Sequence, residues 1–134
     1  MKTVLLLEDE LSIMKLLRQV LRQYCLVEAA TAEEALMLFI DHDHKIDLLV
    51  ADLTVSIRSG IQVALLLRTR LPALPVVLTS GYPVSDWNVQ DSADLERLGS
   101  NSVTILQKPF SAKVLMSAVH ELLEGAPFKA ARTA

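Results

Sequence analysis

The chain predicts an α/β fold, (βα) repeated five times, in which a parallel sheet of five strands is doubly wound with helices on both faces. Five short apolar or β-branched runs, "TVLLLE", "CLVEA", "IDLLVAD", "PVVLTS" and "SVTILQ", lack the polar alternation of a half-exposed strand and suit strands covered on both sides. Longer segments with helical apolar spacing separate them, and that alternation predicts right-handed crossovers between parallel neighbours. At 134 residues, 51% of them hydrophobic and 22% charged, the chain matches one domain with a sizeable core and lies far from disordered composition.

"TVLLLE" is the first strand. In "DELSIMKLLRQVLRQY", Leu11, Met14, Leu17, Leu21 and Tyr24 fall along one side and Lys15, Arg18 and Arg22 elsewhere, which predicts an amphipathic helix. "CLVEA" follows, with Cys25 expected as a small apolar core residue. Thr31 and Glu34 have the spacing of a capping box and open a helix that buries Ala35, Leu36, Leu38 and Phe39 before the polar "DHDHK" ends it. After the third strand, the crossover "SGIQVALLLRTRLP" is apolar and closes near Pro72. Residues 81–101, between the fourth and fifth strands, have weak apolar spacing and predict a short or mobile helix with an insertion beside it. Ser111 caps a last helix whose buried stripe is Val114, Leu115, Ala118, Val119 and Leu122, with Gly125 just past its end. The domain is expected over residues 1–124, and residues 125–134 read as a frayed tail or the start of a linker.

The net charge of -3 offers no basic footprint for a nucleic acid, so direct nucleic-acid binding is not expected. One cysteine excludes an intrachain disulfide framework and fits a reducing cytoplasm. No window approaches eighteen uncharged apolar residues, so a soluble chain without a membrane span is expected.

In an open parallel sheet, ligands bind outside the carboxyl ends of the strands. Here the first strand runs into Glu8-Asp9-Glu10, the third ends in Asp52, the fourth in Thr79-Ser80 and the fifth in Lys108-Pro109. Carboxylates about 4 Å apart repel by roughly 4 kcal/mol per pair at an effective dielectric near 20, so three on one edge need a cation or raised pKa values. Hard oxygen donors favour Mg²⁺, which keeps several waters and leaves positions for phosphoryl oxygens. A lysine opposite and a threonine hydroxyl would hold the remaining oxygens, so the set suits a phosphoryl group.

With "LLLEDE", "LLVADL" and Gly60 eight residues beyond Asp52, "PVVLTSGY" and "ILQKPF" in this order, residues 2–124 resemble the CheY-like receiver domain of two-component response regulators. The resemblance implies a flavodoxin-like sheet of strand order 2-1-3-4-5. It further implies that Asp52 is the phosphoacceptor, that Glu8, Asp9, Asp52 and the backbone carbonyl of Thr54 hold Mg²⁺, that Thr79 engages the phosphoryl group, and that Lys108 precedes a cis proline. The implied function is a phosphorelay switch. A histidine kinase or phosphotransfer protein donates the phosphoryl group and a downstream protein reads it, with no enzymatic activity beyond self-phosphotransfer and autodephosphorylation. A standalone regulator and the receiver of a hybrid histidine kinase both fit, "LTSGYP" with "KPFS" leaning to the second and Met1 to the first. A homodimer through the fourth and fifth helices is expected by analogy only.

Two positions depart from the family pattern. Ile105 stands where the family places a switch aromatic, and Thr54 puts a β-branched polar side chain where attacking water passes. Ile105 keeps open a second reading, a pseudo-receiver that acts as an interaction module without phosphorylation. A nucleotide or flavin protein of the same fold is not expected, because Gly60, Gly81, Gly99 and Gly125 form neither a P-loop nor a GxGxxG. Asp47 reads as a carboxylate of the opposite sheet edge, His42 and His44 as a solvated loop, and His120 as a surface or half-buried helix residue. Tyr82 and Trp87 are open between local packing and a partner-facing surface.

Overall fold

The computed structural model describes residues 1–55 and 58–125. The expected tail therefore lies, from residue 126 on, outside the described residues. Strands β1 (Thr3–Leu7), β2 (Cys25–Ala29), β3 (Leu48–Asp52), β6 (Val76–Ser80) and β7 (Val103–Gln107) form one parallel sheet in the order β2-β1-β3-β6-β7. Counting only the strands of this sheet, that is the order 2-1-3-4-5. A two-stranded antiparallel ribbon, β4 (Thr54–Val55) and β5 (Arg58–Ser59), follows β3 directly.

Although the strands are apolar throughout, their side chains still alternate between two cores. Leu5, Leu7, Leu49, Ala51, Val76 and Leu78 point to the face covered by α2 (Ala32–Asp41), α3 (Gly60–Arg68) and α4 (Val89–Leu98). Val4, Leu6, Leu48, Val50 and Val77 point to the face covered by α1 (Leu11–Val20) and α5 (Ala112–Glu124). Burial on both faces is why the sequence shows unbroken apolar runs.

The helix caps follow the sequence. Thr31 Oγ1 accepts from the Glu34 amide at 3.0 Å, while Glu34 Oε1 reaches back to the Ala30 amide at 2.7 Å. Ser59 and Ser111 cap α3 and α5 in the same way. Gly125 ends α5 in the left-handed conformation with φ of 71°.

Four expectations need correction. Cys25 is exposed, because β2 is an edge strand and its first residue lies at the margin of the covered face. Leu11 and Val114 are also exposed, each in the first turn of its helix, where the apolar stripe runs past the edge of the sheet. The fourth helix is not short: α4 has ten residues, as do α1 and α2, and is preceded by a 3₁₀ turn over Val84–Asp86. Its apolar spacing is weak because its inner face carries Asp91 and Asp94 beside Leu98. Asp94 Oδ1 accepts from Gln90 Nε2 at 3.0 Å and from Arg97 Nη1 at 3.3 Å. Burial raises the Asp91 carboxyl, helped by the nearby Asp94 charge.

At the amino-terminal edge of the sheet, Arg68 ties three segments together. Its guanidinium donates to the carbonyls of Leu74 at 2.9 Å, Leu98 at 3.0 Å and Asn101 at 3.1 Å. The Leu98 carbonyl belongs to the last turn of α4, where acceptors lack helical partners. Asp47 lies at this edge too, accepting from the Thr3 amide at 2.7 Å.

Candidate phosphoryl and cation site

The carboxyl ends of β1, β3, β6 and β7 bring Glu8, Asp9, Asp52, Thr79 and Lys108 to one edge. β1 carries Glu8 past its last residue, where the Glu8 amide still donates to the Ala29 carbonyl at 3.0 Å. Asp52 closes β3 and lies in register with Thr79 of the neighbouring β6. The Leu53 amide donates to the Thr79 carbonyl at 2.8 Å, which extends the ladder one residue beyond the carboxylate. Glu8, Asp52 and Thr79 are buried, whereas Asp9 is exposed.

One carboxylate oxygen from each of Glu8, Asp9 and Asp52 lies within 4.8 Å of the others. Lys108 Nζ stands between two of these groups, 3.2 Å from Glu8 Oε1 and 3.3 Å from Asp52 Oδ1. The second Glu8 oxygen accepts from the Glu10 amide at 3.0 Å. Three carboxylates against one ammonium leave the cluster short of positive charge.

Burial, more than that deficit, governs the titration of the cluster. Burial raises the Asp52 carboxyl above its usual range, against the opposing pull of Lys108 and the Thr54 amide, and Asp9 adds to the rise. Burial likewise raises Glu8, with the Asp52 charge reinforcing it and the Glu10 amide and Lys108 opposing it. For Lys108, burial lowers the ammonium, but Asp52 and Glu8 together outweigh burial and leave it above its ordinary value. Lysine is therefore charged while both neighbouring acids bind protons more readily than in water.

The donor set fits a hard divalent cation: oxygen-only, acidic, open on the Asp9 side and undercompensated by Lys108. The backbone also has to make room. A Cβ at Gly60 would lie 2.4 Å from the Asp52 carbonyl oxygen, so glycine is required where α3 starts against the end of β3. The Gly60 amide donates to the Leu53 carbonyl at 3.0 Å and fixes that approach.

The sequence pattern of the response regulator receiver domain matches residues 4–120. The chain belongs to that family. Solved receiver structures superpose closely. The CheY-like receiver domain protein from Methanospirillum hungatei JF-1 has a TM-score of 0.78 at 20% identity, covering 93% of this chain and 95% of that one. A response regulator receiver protein from Sinorhizobium medicae WSM419 gives 0.76 at 26% identity, covering 92% and 94%. The BeF3-activated DrrB receiver domain gives 0.74 at 19% identity, covering 92% and 98%. Among curated proteins none matches significantly.

Seen as a receiver domain, the chain has its acidic pocket assembled from the residues picked out in the sequence, and Lys108-Pro109 is cis as the resemblance implied. The remaining polar residues fall elsewhere. His42 Nδ1 pairs with the Leu38 carbonyl at 2.8 Å, and His44 stacks on Phe39 with ring centroids 4.7 Å apart, so neither joins a cation cluster among the described residues. His120 is half-buried on α5. The open question over the aromatic pair resolves as a split, Trp87 buried and Tyr82 exposed.

Ser80, named with Thr79 at the end of the fourth strand but given no role from the sequence, is a neighbour of the site. Its carbonyl accepts from the Lys108 amide at 2.7 Å, and its hydroxyl donates to the Tyr82 carbonyl at 2.7 Å and accepts from Trp87 Nε1 at 3.2 Å. Adjacency to Thr79 is the only signal the sequence carries for it.

Proposed function

We propose that the chain is a phosphorylatable receiver in which the Asp52 carboxylate takes a phosphoryl group from a phosphohistidine of a histidine kinase or phosphotransfer protein. The observation that carries this reading is the Glu8–Asp9–Asp52 cluster held within 4.8 Å and bridged on one side only by Lys108. In the reaction an Asp52 oxygen bonds to phosphorus as the P–N bond to imidazole breaks, the imidazole keeping the electron pair and taking up a proton. Little covalent help is needed, so the work of the protein is placement and charge.

Glu8, Asp9, Asp52 and the Thr54 carbonyl would hold Mg²⁺, which supplies neutralisation of the phosphoryl oxygens. Lys108 is already charged beside Asp52 and is placed to pair with a phosphoryl oxygen once the carboxylate becomes an acyl phosphate. Thr79, one strand away in register with Asp52, offers a hydroxyl to another oxygen. Adding close to two negative charges at this edge changes the partners of Thr79 and Lys108, which makes the site a switch. A downstream protein reads that switch, and a reaction fed by a kinase belongs to the cytoplasm. Whether the receiver stands alone or serves a hybrid kinase, the chemistry at Asp52 is the same.

Incubation with Mg²⁺ and a small acyl phosphate donor should add one phosphoryl mass to the wild-type chain and none to Asp52→Asn. Absence of an Asp52-dependent adduct would overturn the reading. Ile105 favours the second reading, a pseudo-receiver that binds a partner unphosphorylated, because it puts an aliphatic side chain where the family has its switch aromatic. Partner binding unchanged by Asp52→Asn and by phosphodonor would select that alternative.

A further inference from the structure

With isoleucine at position 105, movement at Thr79 has no aromatic ring on β7 to displace, yet the structure holds a different aromatic against the same strand end. Trp87, the single tryptophan of the chain, is buried in the core between the sheet and α3 and α4. Its Nε1 donates to Ser80 Oγ at 3.2 Å and more distantly to the Tyr82 carbonyl at 3.4 Å. Ser80 is joined by its peptide bond to Thr79, and its carbonyl takes the Lys108 amide at 2.7 Å. The indole is thus bonded to a residue that touches the backbones of both Thr79 and Lys108.

On its other side Trp87 leads directly into α4. Its amide closes the 3₁₀ turn on the Val84 carbonyl, and the next residue, Asn88, caps α4 by accepting from the Asp91 amide at 2.7 Å. Ile105 packs at the border of the same core.

We propose that Trp87 couples the Asp52 site to the start of α4, with the Ser80 hydroxyl as the joint. An indole N–H is a donor only, and a buried donor must keep an acceptor. When Thr79 shifts toward a phosphoryl group, Ser80 moves with it, and the indole either follows Ser80 or tightens the longer bond it already makes to the Tyr82 carbonyl. Both responses move the ring, and a ring packed in a close-packed core carries its neighbours, here the cap of α4. Trp87 and Ser80 are positioning residues, since neither touches the reacting atoms.

The coupling rests on the receiver reading of Asp52 and Thr79, and its test separates the two. The wild-type chain, Ser80→Ala and Trp87→Phe are each titrated with Mg²⁺ and beryllofluoride, loading being followed by the fluorine resonance of the bound fluoride and the response by proton–nitrogen spectra. On loading, the wild-type indole N–H resonance and the amides of Asn88 to Asp91 should move, and in either folded variant the amide shifts should at least halve although loading persists. Wild-type loading with an unmoved indole resonance, or full-sized α4 shifts in a loaded variant, overturns the coupling alone. A wild-type chain that does not load beryllofluoride overturns the receiver reading and the coupling with it.

Discussion

Replacing Asp52 with asparagine should stabilise the metal-free protein, although it removes an ion pair. The carboxylate lies 3.3 Å from Lys108 Nζ, an attraction of about 5 kcal/mol at an effective dielectric near 20. Against this stands Glu8, whose oxygen lies within 4.8 Å and repels by at least about 3.5 kcal/mol on the same scale. Asp9 is exposed, so water screens its repulsion to about 1 kcal/mol. The Coulomb terms nearly cancel, which leaves the desolvation of a buried carboxylate, several kcal/mol in effective terms, to decide the balance. That agrees with the upward shift of Asp52, for which burial is the largest cause. A neutral isostere avoids most of that cost, and the expected gain is about 1–3 kcal/mol, or roughly 4–12 °C in Tm for a domain of this size.

The same reasoning sets the pH dependence. Glu8 and Asp52 both have folded-state pKa values above their unfolded ones, so the native state binds protons more tightly. The associated stability is fully present below the unfolded carboxylate values and is lost as pH rises through the raised folded ones. Metal-free wild type should therefore lose stability from acidic toward neutral pH, with a shallower slope in Asp52→Asn. Mg²⁺ should offset that gap at neutral pH, adding about 2.7 kcal/mol to wild type at a hundred times its Kd and less to the variant. Urea denaturation with and without Mg²⁺ measures all three quantities. An Asp52→Asn protein that is less stable than wild type without metal would refute the charge balance.

Lys108→Ala should fold but lose about 2–4 kcal/mol at neutral pH, since its removal leaves Glu8 and Asp52 buried without a cation. Mild acid or Mg²⁺ should restore most of that loss in a denaturant titration, and calorimetry should show tighter Mg²⁺ binding than in wild type. Equal Mg²⁺ affinity would argue against a shared field at the site. Gly60→Ala places a Cβ 2.4 Å from the Asp52 carbonyl and should cost about 2–4 kcal/mol by overpacking, with reduced phosphodonor labelling because the Asp52 backbone must shift. Normal stability in that variant would show that the start of α3 can move away freely. Arg68→Ala breaks three hydrogen bonds to carbonyls, which at about 1 kcal/mol each for a partly exposed guanidinium gives a loss of roughly 2–4 kcal/mol. Lysine at position 68 cannot span all three acceptors and should recover only part of it. Full recovery in Arg68→Lys, read from thermal melts, would reduce the clamp to a single contact.

The five sheet strands and four of the five helices are legible in the chain because each rests on a local regularity. Strands buried on both faces must be apolar at every position, and helices covered on one side must repeat their apolar residues at helical spacing. The site is legible for a related reason, since Glu8, Asp9, Asp52, Thr79 and Lys108 stand where apolar runs stop, and parallel pairing takes all such stops to one edge. The fourth helix escapes this logic because it buries Asp91 and Asp94, whose acceptability depends on Gln90, Arg97, Asn88 and Ser59 rather than on any period. Cys25, Leu11 and Val114 are exposed for a complementary reason: hydrophobicity and spacing say which side of an element is apolar, but the extent of the neighbouring layer decides how far along it is covered. Trp87 and Ser80 meet across a loop, and Lys108 reaches Glu8 across a hundred residues of chain. Parallel pairing brings Lys108 and Glu8 to one edge, but which atoms meet there, like the Trp87–Ser80 contact, depends on packing several elements at once and is decided only by the folded assembly.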